Sequence, residues 1–309
     1  MKPRSIIIVG DSFSNGDGVM YPNEVIRRMG DGWVGHADKL LYNRALAQVS
    51  GDTPRRSDEQ ILQDMFREWH PRQVLGNYAT REYIKLNHGW SHVLQRYADD
   101  TDVINISIPG GSSDSMLNSL LYWVNKNQHY VREHDICVIA NYTMPAISRI
   151  SVTTRWEHND DDYVPRPLSQ IYDRMTVHYN PHSGYDYIDN WMVHMDGLHN
   201  YEYNFCSNLM LLSGLCEQHG MNFAWSGPCP DVSEWNFMNL PLPFDRALCE
   251  VHPAFTDILD YTLTVCHDQI VHHNFNPYSI CNHFNREAQN LMAQHFAGVI
   301  NSNADWFWN

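Results

Sequence analysis

Basic residues are scarce in this 309-residue chain: 21 Lys and Arg stand against 36 Asp and Glu, a formal net charge of −15. An acidic surface repels phosphate backbones and anionic headgroups, so neither nucleic acid nor a membrane surface is expected as a partner. The pairs Arg27-Arg28 and Arg55-Arg56 are too short to reverse this and read as solvated faces. No apolar run approaches the ~20 residues of a membrane-spanning helix. A strand pattern begins at Ser5, which leaves no room for a signal peptide ahead of it. The expected compartment is the cytoplasm. Proteins of phage particles share these features, so a phage origin stays open.

Cysteine is sparse and unpatterned. The seven, at positions 137, 206, 216, 229, 249, 266 and 281, include no C-x-x-C and are odd in number, so they read as free, mostly buried thiols. Metal frameworks are missing as well. His178, His182, His194, His199 and the pair His272-His273 form no H-E-x-x-H, and Asp160-Asp161-Asp162 lacks the twelve-residue calcium-loop pattern. No metal and no cofactor are expected. The absence of a phosphate loop and of a G-x-S-x-G elbow sets aside P-loop NTPases and α/β-hydrolases.

What is present is an alternation of short apolar runs and helical patterns. Ser5–Val9, Val103–Ser107, Ile136–Ala140 and Asn222–Trp225 are apolar or β-branched and end in turn residues, as buried parallel strands do. Helical patterns cover Ser91–Tyr97, Ser113–Asn127 with Ser112 or Ser113 as N-cap, Tyr203–Glu217 closing at Gly220, and Asn285–Ile300. This order predicts a single α/β domain over residues 1–309, a three-layer α/β/α sandwich with a mostly parallel sheet. Met20 to Asn87, with a helix-like stretch at Asp58–Trp69, and Ser151 to Asp189 read as large loop insertions. The tail Asp305-Trp306-Phe307-Trp308-Asn309 carries three aromatics that should pack on the domain or on another subunit, which leaves a homo-oligomer open.

Three segments carry the chemistry. Gly10-Asp11-Ser12 follows the first strand and places a hydroxyl at its carboxyl end, where open α/β sheets bind ligands. Asn105-Ile106-Ser107-Ile108-Pro109-Gly110-Gly111-Ser112 follows the second, and its glycine pair lets a backbone N–H approach a reacting atom. Asn282-His283-Phe284-Asn285 precedes the last helix and supplies an imidazole. A serine, a histidine and backbone donors are the set that acyl transfer needs. The bland alternatives are a turn or cap serine at Ser12, an ordinary strand-to-helix turn at Gly110-Gly111, and a capping or core histidine at His283.

In this order the three blocks resemble the SGNH (GDSL-type) hydrolases. The resemblance implies Ser12 as nucleophile, His283 as base, and the N–H groups of Ser12 and Gly110 as oxyanion donors, with Asp11 supporting. Two departures stand out. The family's aspartate two or three residues before the histidine is replaced by Cys281 and Ile280, so Asn282 can at best orient the ring as a neutral amide, and a Ser–His dyad, a backbone carbonyl or an acid from elsewhere stands in the acid's place. The family's Gly-x-Asn-Asp after the third strand is replaced by Ala140-Asn141-Tyr142-Thr143, where Asn141 or Thr143 would supply the third donor. The implied activity is ester hydrolysis. Insertions rich in Tyr, Trp, His and Asn suit a carbohydrate ester, such as an O-acetyl group, or another small-molecule ester. The rivals are a catalytically silent binding or assembly domain of the same fold, and a lipid esterase or thioesterase.

Overall fold

The computed structural model describes residues 2–20, 46, 49–50, 89–108, 111, 113–142, 149–152, 175–178, 198–227, 232–233, 236, 239–279 and 283–309. Four strands form one all-parallel sheet: β1 (Arg4–Gly10), β2 (Thr101–Asn105), β3 (Asp135–Asn141) and, after the separate antiparallel pair β4 (Arg149–Val152) and β5 (Met175–His178), β6 (Asn222–Ser226). Their spatial order is β2-β1-β3-β6. The chain thus starts in the middle, steps out to one side and returns past its origin to the other. The reversal lies between β1 and β3, at whose carboxyl ends a crevice opens in sheets of this kind.

The β-branched run of β1 is buried on both faces, and Ile6, Ile7, Ile8 and Val9 have no exposure at all. Alternate residues feed two cores. Ile6 and Ile8, with Cys137, Ile139 and Ala224, pack beneath α2 (Trp90–Tyr97), α6 (Ile258–Val265), α8 (Arg286–Ser302) and α9 (Ala304–Trp308). Ile7 and Val9, with Val138, Phe223 and Trp225, pack beneath α3 (Ser113–Lys126), α4 (Gln128–Glu133) and α5 (Leu198–Gln218). Helices on both faces of a parallel sheet make the three-layer sandwich that the alternation of patterns predicts.

The positions of the four sheet strands agree with expectation to within two residues, whereas the pair β4 and β5 was not foreseen. The largest difference is at β2, which starts at Thr101, while the backbone beyond it still bonds to β1, Ile106 N–H to Ile8 O at 2.9 Å and Ile108 N–H to Gly10 O at 3.0 Å. α5 begins at Leu198, earlier than its periodicity suggests, and ends as expected at Gly220, whose φ of 65° is the left-handed conformation glycine adopts freely. Among the helices not foreseen are α6 and the adjoining α7 (His267–His273). The residues of α6, Ile-Leu-Asp-Tyr-Thr-Leu-Thr-Val, favour strand by propensity. Capping and packing override that preference: Asp257 accepts the Asp260 N–H at 2.8 Å, while Ile258 and Tyr261 are buried in the core.

The aromatic tail packs on its own domain. Phe307 is fully buried, Trp308 Nε1 donates to Asp135 O at 3.2 Å, and Arg4 and Arg246 lie over the rings of Trp308 and Trp306 at 4.8 and 4.5 Å. None of the five cysteines among the described residues forms a disulfide, and four of them are buried. The expected insertions fall almost wholly outside the described residues, as do Asp58–Trp69 and Ser112. No helix among the described residues is long and apolar enough to cross a membrane.

Candidate active site

The site is built on a single helical turn, α1 (Ser12–Asn15), that follows β1 directly. Asp11 caps it: its carboxylate accepts the Phe13 N–H at 2.9 Å, and its carbonyl accepts the Asn15 N–H at 2.8 Å. Gly16 ends it at φ 79°. Asp11 thereby fixes the turn on which Ser12 sits. Ser12 is the first residue of that turn, so its N–H has no carbonyl partner within the helix.

So short a helix cannot hold itself in place. Three outside contacts do so, and a fourth bond stiffens the loop that two of them reach. Trp90 Nε1 donates to Ser14 O at 2.8 Å, and Asn105 Nδ2 donates to the same carbonyl at 2.7 Å. Asn105 Oδ1 accepts the Ser107 N–H at 3.0 Å, and Asn15 Nδ2 donates to Ser107 O at 2.7 Å. Asn105 opens the second block, and its observed work is to tie that loop to the serine turn. Close packing completes the join: a Cβ on Gly111 would stand 2.9 Å from Gly10 O, and one on Gly10 would overlap the Ser14 hydroxyl.

His283 arrives from the other end of the chain. Its carbonyl accepts both the N–H and the Oγ–H of Ser279, at 2.7 and 3.0 Å, which fixes the backbone just before α8. Asn285 caps α8 through the Ala288 N–H at 2.9 Å and donates to Asn276 O at 2.6 Å. Gln289, inside the helix, donates to Phe284 O at 2.8 Å and accepts the Trp90 N–H at 3.3 Å. The same α2 tryptophan thus braces the serine turn and is tied to the histidine segment.

The result is a hydrogen bond of 2.6 Å between His283 Nε2 and Ser12 Oγ, across 271 residues. With the imidazole neutral and its proton at Nδ1, the hydroxyl donates and Nε2 accepts. Both residues are half-buried, so the pair is held firmly yet open to a ligand. Phe13 lies against the same imidazole, ring centroids 4.7 Å apart and tilted by 43°.

The other expected donors divide. Asn141 ends β3 in register with Gly10, fully buried, with its Oδ1 accepting Ser226 Oγ–H at 2.8 Å and its Nδ2 enclosed. Gly110, Thr143 and Asn282 lie outside the described residues. Sequence reasoning missed the part played by Phe13, which directly follows the Gly10-Asp11-Ser12 block, and by Trp90, Ser279 and Gln289, which belong to no motif. It also missed Asp257, the N-cap of α6, a helix that packs against α1. Burial above all pushes the Asp257 carboxyl up to about 7, and the charges of Asp260 and Asp11 add to this against the backbone N–H bonds it accepts.

Among the described residues no group of three His, Cys, Asp or Glu side chains could hold a metal ion. The glycines of Gly30-Asp31-Gly32-Trp33-Val34-Gly35 have the spacing of a dinucleotide turn, but the residues before them, Asn23 to Met29, form no apolar strand pattern, and the stretch lies outside the described residues. Compared with models of known protein families the chain matches none, and no curated protein matches it significantly.

Proposed function

We propose that the protein is a serine hydrolase of the SGNH type that cleaves a carboxylic ester through an acyl-enzyme on Ser12. The observation that carries this reading is the 2.6 Å contact between His283 Nε2 and Ser12 Oγ at the carboxyl end of the central strand. As Oγ attacks the ester carbonyl carbon, its proton passes to Nε2 and the carbonyl π pair moves onto oxygen. The N–H of Ser12 is one donor for that oxyanion. The intermediate then collapses, the alcohol leaves with the proton from the imidazolium, and Ser12 holds the acyl group. Water attacks in turn, giving its proton to Nε2, and as the second intermediate collapses to the carboxylic acid the imidazolium returns that proton to Ser12 Oγ.

The proposed substrate is an O-acetyl group on a carbohydrate, a choice supported by the aromatic and amide residues of the two sequence insertions. Activity is tested with p-nitrophenyl acetate and a fluorophosphonate probe. The wild type should hydrolyse the ester and be labelled at Ser12, and Ser12→Ala should do neither while keeping its fold. An unlabelled, folded wild type would support the silent binding domain instead. A rate that rises with acyl chain length would favour the lipid esterase over the carbohydrate ester.

A further inference from the structure

The reading above leaves one requirement of the chemistry unmet by motif: at the positions where the resemblance calls for an aspartate, the chain has Ile280 and Cys281. An aspartate in such a centre orients the imidazole and stabilises the imidazolium. Phe13 occupies a place from which it can do part of both. It follows Ser12 directly, so one turn of helix presents the hydroxyl and the aromatic ring to the same imidazole. Its centroid is 4.7 Å from that of His283, within the ~6 Å over which a cation is attracted to an aromatic π system.

The ring is itself fixed. Phe284 meets it edge-on at 5.7 Å, and Tyr278 stacks on Phe284 at 5.2 Å and 15°. Tyr278 and Phe284 also pair as an antiparallel bridge, and Ser279 holds the His283 carbonyl inside it. The imidazole therefore has few orientations left: Nε2 is set by Ser12 Oγ and one side of the ring by Phe13.

We infer that Phe13 is a positioning residue that holds the His283 ring toward Ser12 and stabilises its protonated form through the aromatic π system, doing part of the work of a carboxylate. This rests on the proposed hydrolase reading for its catalytic meaning, but the electrostatic effect on His283 is measurable without turnover. A cation beside an aromatic ring at a half-exposed position is favoured by about two- to fivefold in its protonation equilibrium. Removing the π density should lower the His283 pKa by a few tenths of a unit, up to about 0.7.

The test is a series of phenylalanines at position 13 bearing one, two and three ring fluorines, in the full-length protein. Shape changes little along the series while the ring's attraction for a cation declines stepwise. The imidazole pKa, read by NMR titration, should fall with each fluorine, and the acid limb of kcat/KM should move with it while KM holds. Phe13→Leu should complete the trend, and Phe13→Tyr should restore the wild-type value. A pKa that stays constant along the fluorinated series overturns the proposal, even if Phe13→Leu proves too unstable to titrate. A stepwise fall in a protein that hydrolyses no ester overturns the hydrolase reading and leaves the role of Phe13 standing.

Discussion

Gly18 lies so close to the carbonyl of Phe284 that a Cβ on it would overlap that oxygen and stand 3.0 Å from the carbonyl carbon of His283. The obstacle is backbone, not a flexible side chain, so an added methyl must move one segment or the other. The segment it would move carries the imidazole. Gly18→Ala should therefore lengthen the Ser12–His283 contact and cost about 1–3 kcal/mol of stability. Fluorophosphonate labelling should slow by at least tenfold while the far-UV circular dichroism is kept. Labelling at the wild-type rate would show that the histidine segment tolerates the shift.

Asn105 gives the second prediction. It donates to Ser14 O and accepts from Ser107 N–H, so it joins the serine turn to the neighbouring loop and stands outside the chemistry. Asn105→Asp keeps the acceptor for Ser107 but sets a carboxylate oxygen against the Ser14 carbonyl, whereas Asn105→Ala loses both bonds and the weaker one from Nδ2 to Ser91 Oγ at 3.3 Å. Each lost bond at this half-buried position costs about 1 kcal/mol, and the facing carboxylate adds to that. Urea midpoints should rank wild type above Asn105→Ala and place Asn105→Asp lowest. A reversed order of the two variants would show that the amide's donor is not what holds the turn.

Ser226 and Asn141 give a third. The Ser226 hydroxyl donates to Asn141 Oδ1 at 2.8 Å in a site with no exposure of either residue. Ser226→Ala strips a buried acceptor of its donor, which costs about 1–3 kcal/mol, whereas Ser226→Thr keeps the hydroxyl. The expected result is a lowered unfolding midpoint for alanine with partial recovery for threonine. Equal midpoints for Ser226→Ala and wild type would mean that the amide finds another donor once the hydroxyl is gone.

These residues show where the sequence is legible and where it is not. The strands were readable because burial on both faces demands uninterrupted apolar runs such as Ile6-Ile7-Ile8-Val9, and a hydrophobic run is local information. Ser12 and His283, the pair proposed as nucleophile and base, were readable because that chemistry needs particular residue types beside turn and cap residues. What holds them was not. The tie from Trp90 to Ser14 spans 76 residues and uses an indole N–H and a backbone carbonyl, neither of which leaves a pattern in sequence. Asp257 failed to announce α6 because the residues after it favour strand, and only the core that buries Ile258 and Tyr261 decides the matter.

Asp257 also gives a pH dependence whose sign can be fixed. Its carboxyl titrates at about 7 in the folded protein against an ordinary 3.8, because burial first, and the charges of Asp260 and Asp11 after it, disfavour the anion. Between those two values the folded state holds a proton that the unfolded chain has lost. Its contribution to stability is therefore greatest in acid, declines as pH rises from about 4 to about 7, and is lowest above that. Asp257→Asn removes the charge and keeps an oxygen to accept the Asp260 N–H, as asparagine caps helices as well as aspartate does. The position is half-buried and partly screened, so the variant should gain about 1–2 kcal/mol over wild type at pH 8. At pH 4.5, where the folded wild type is already protonated, the gain should shrink to a small fraction of that. Guanidinium midpoints at the two pH values measure it. An equal gain at both would trace the effect to packing at the cap, and a loss at pH 8 would mean that the ionised carboxylate is held by a stabilising partner.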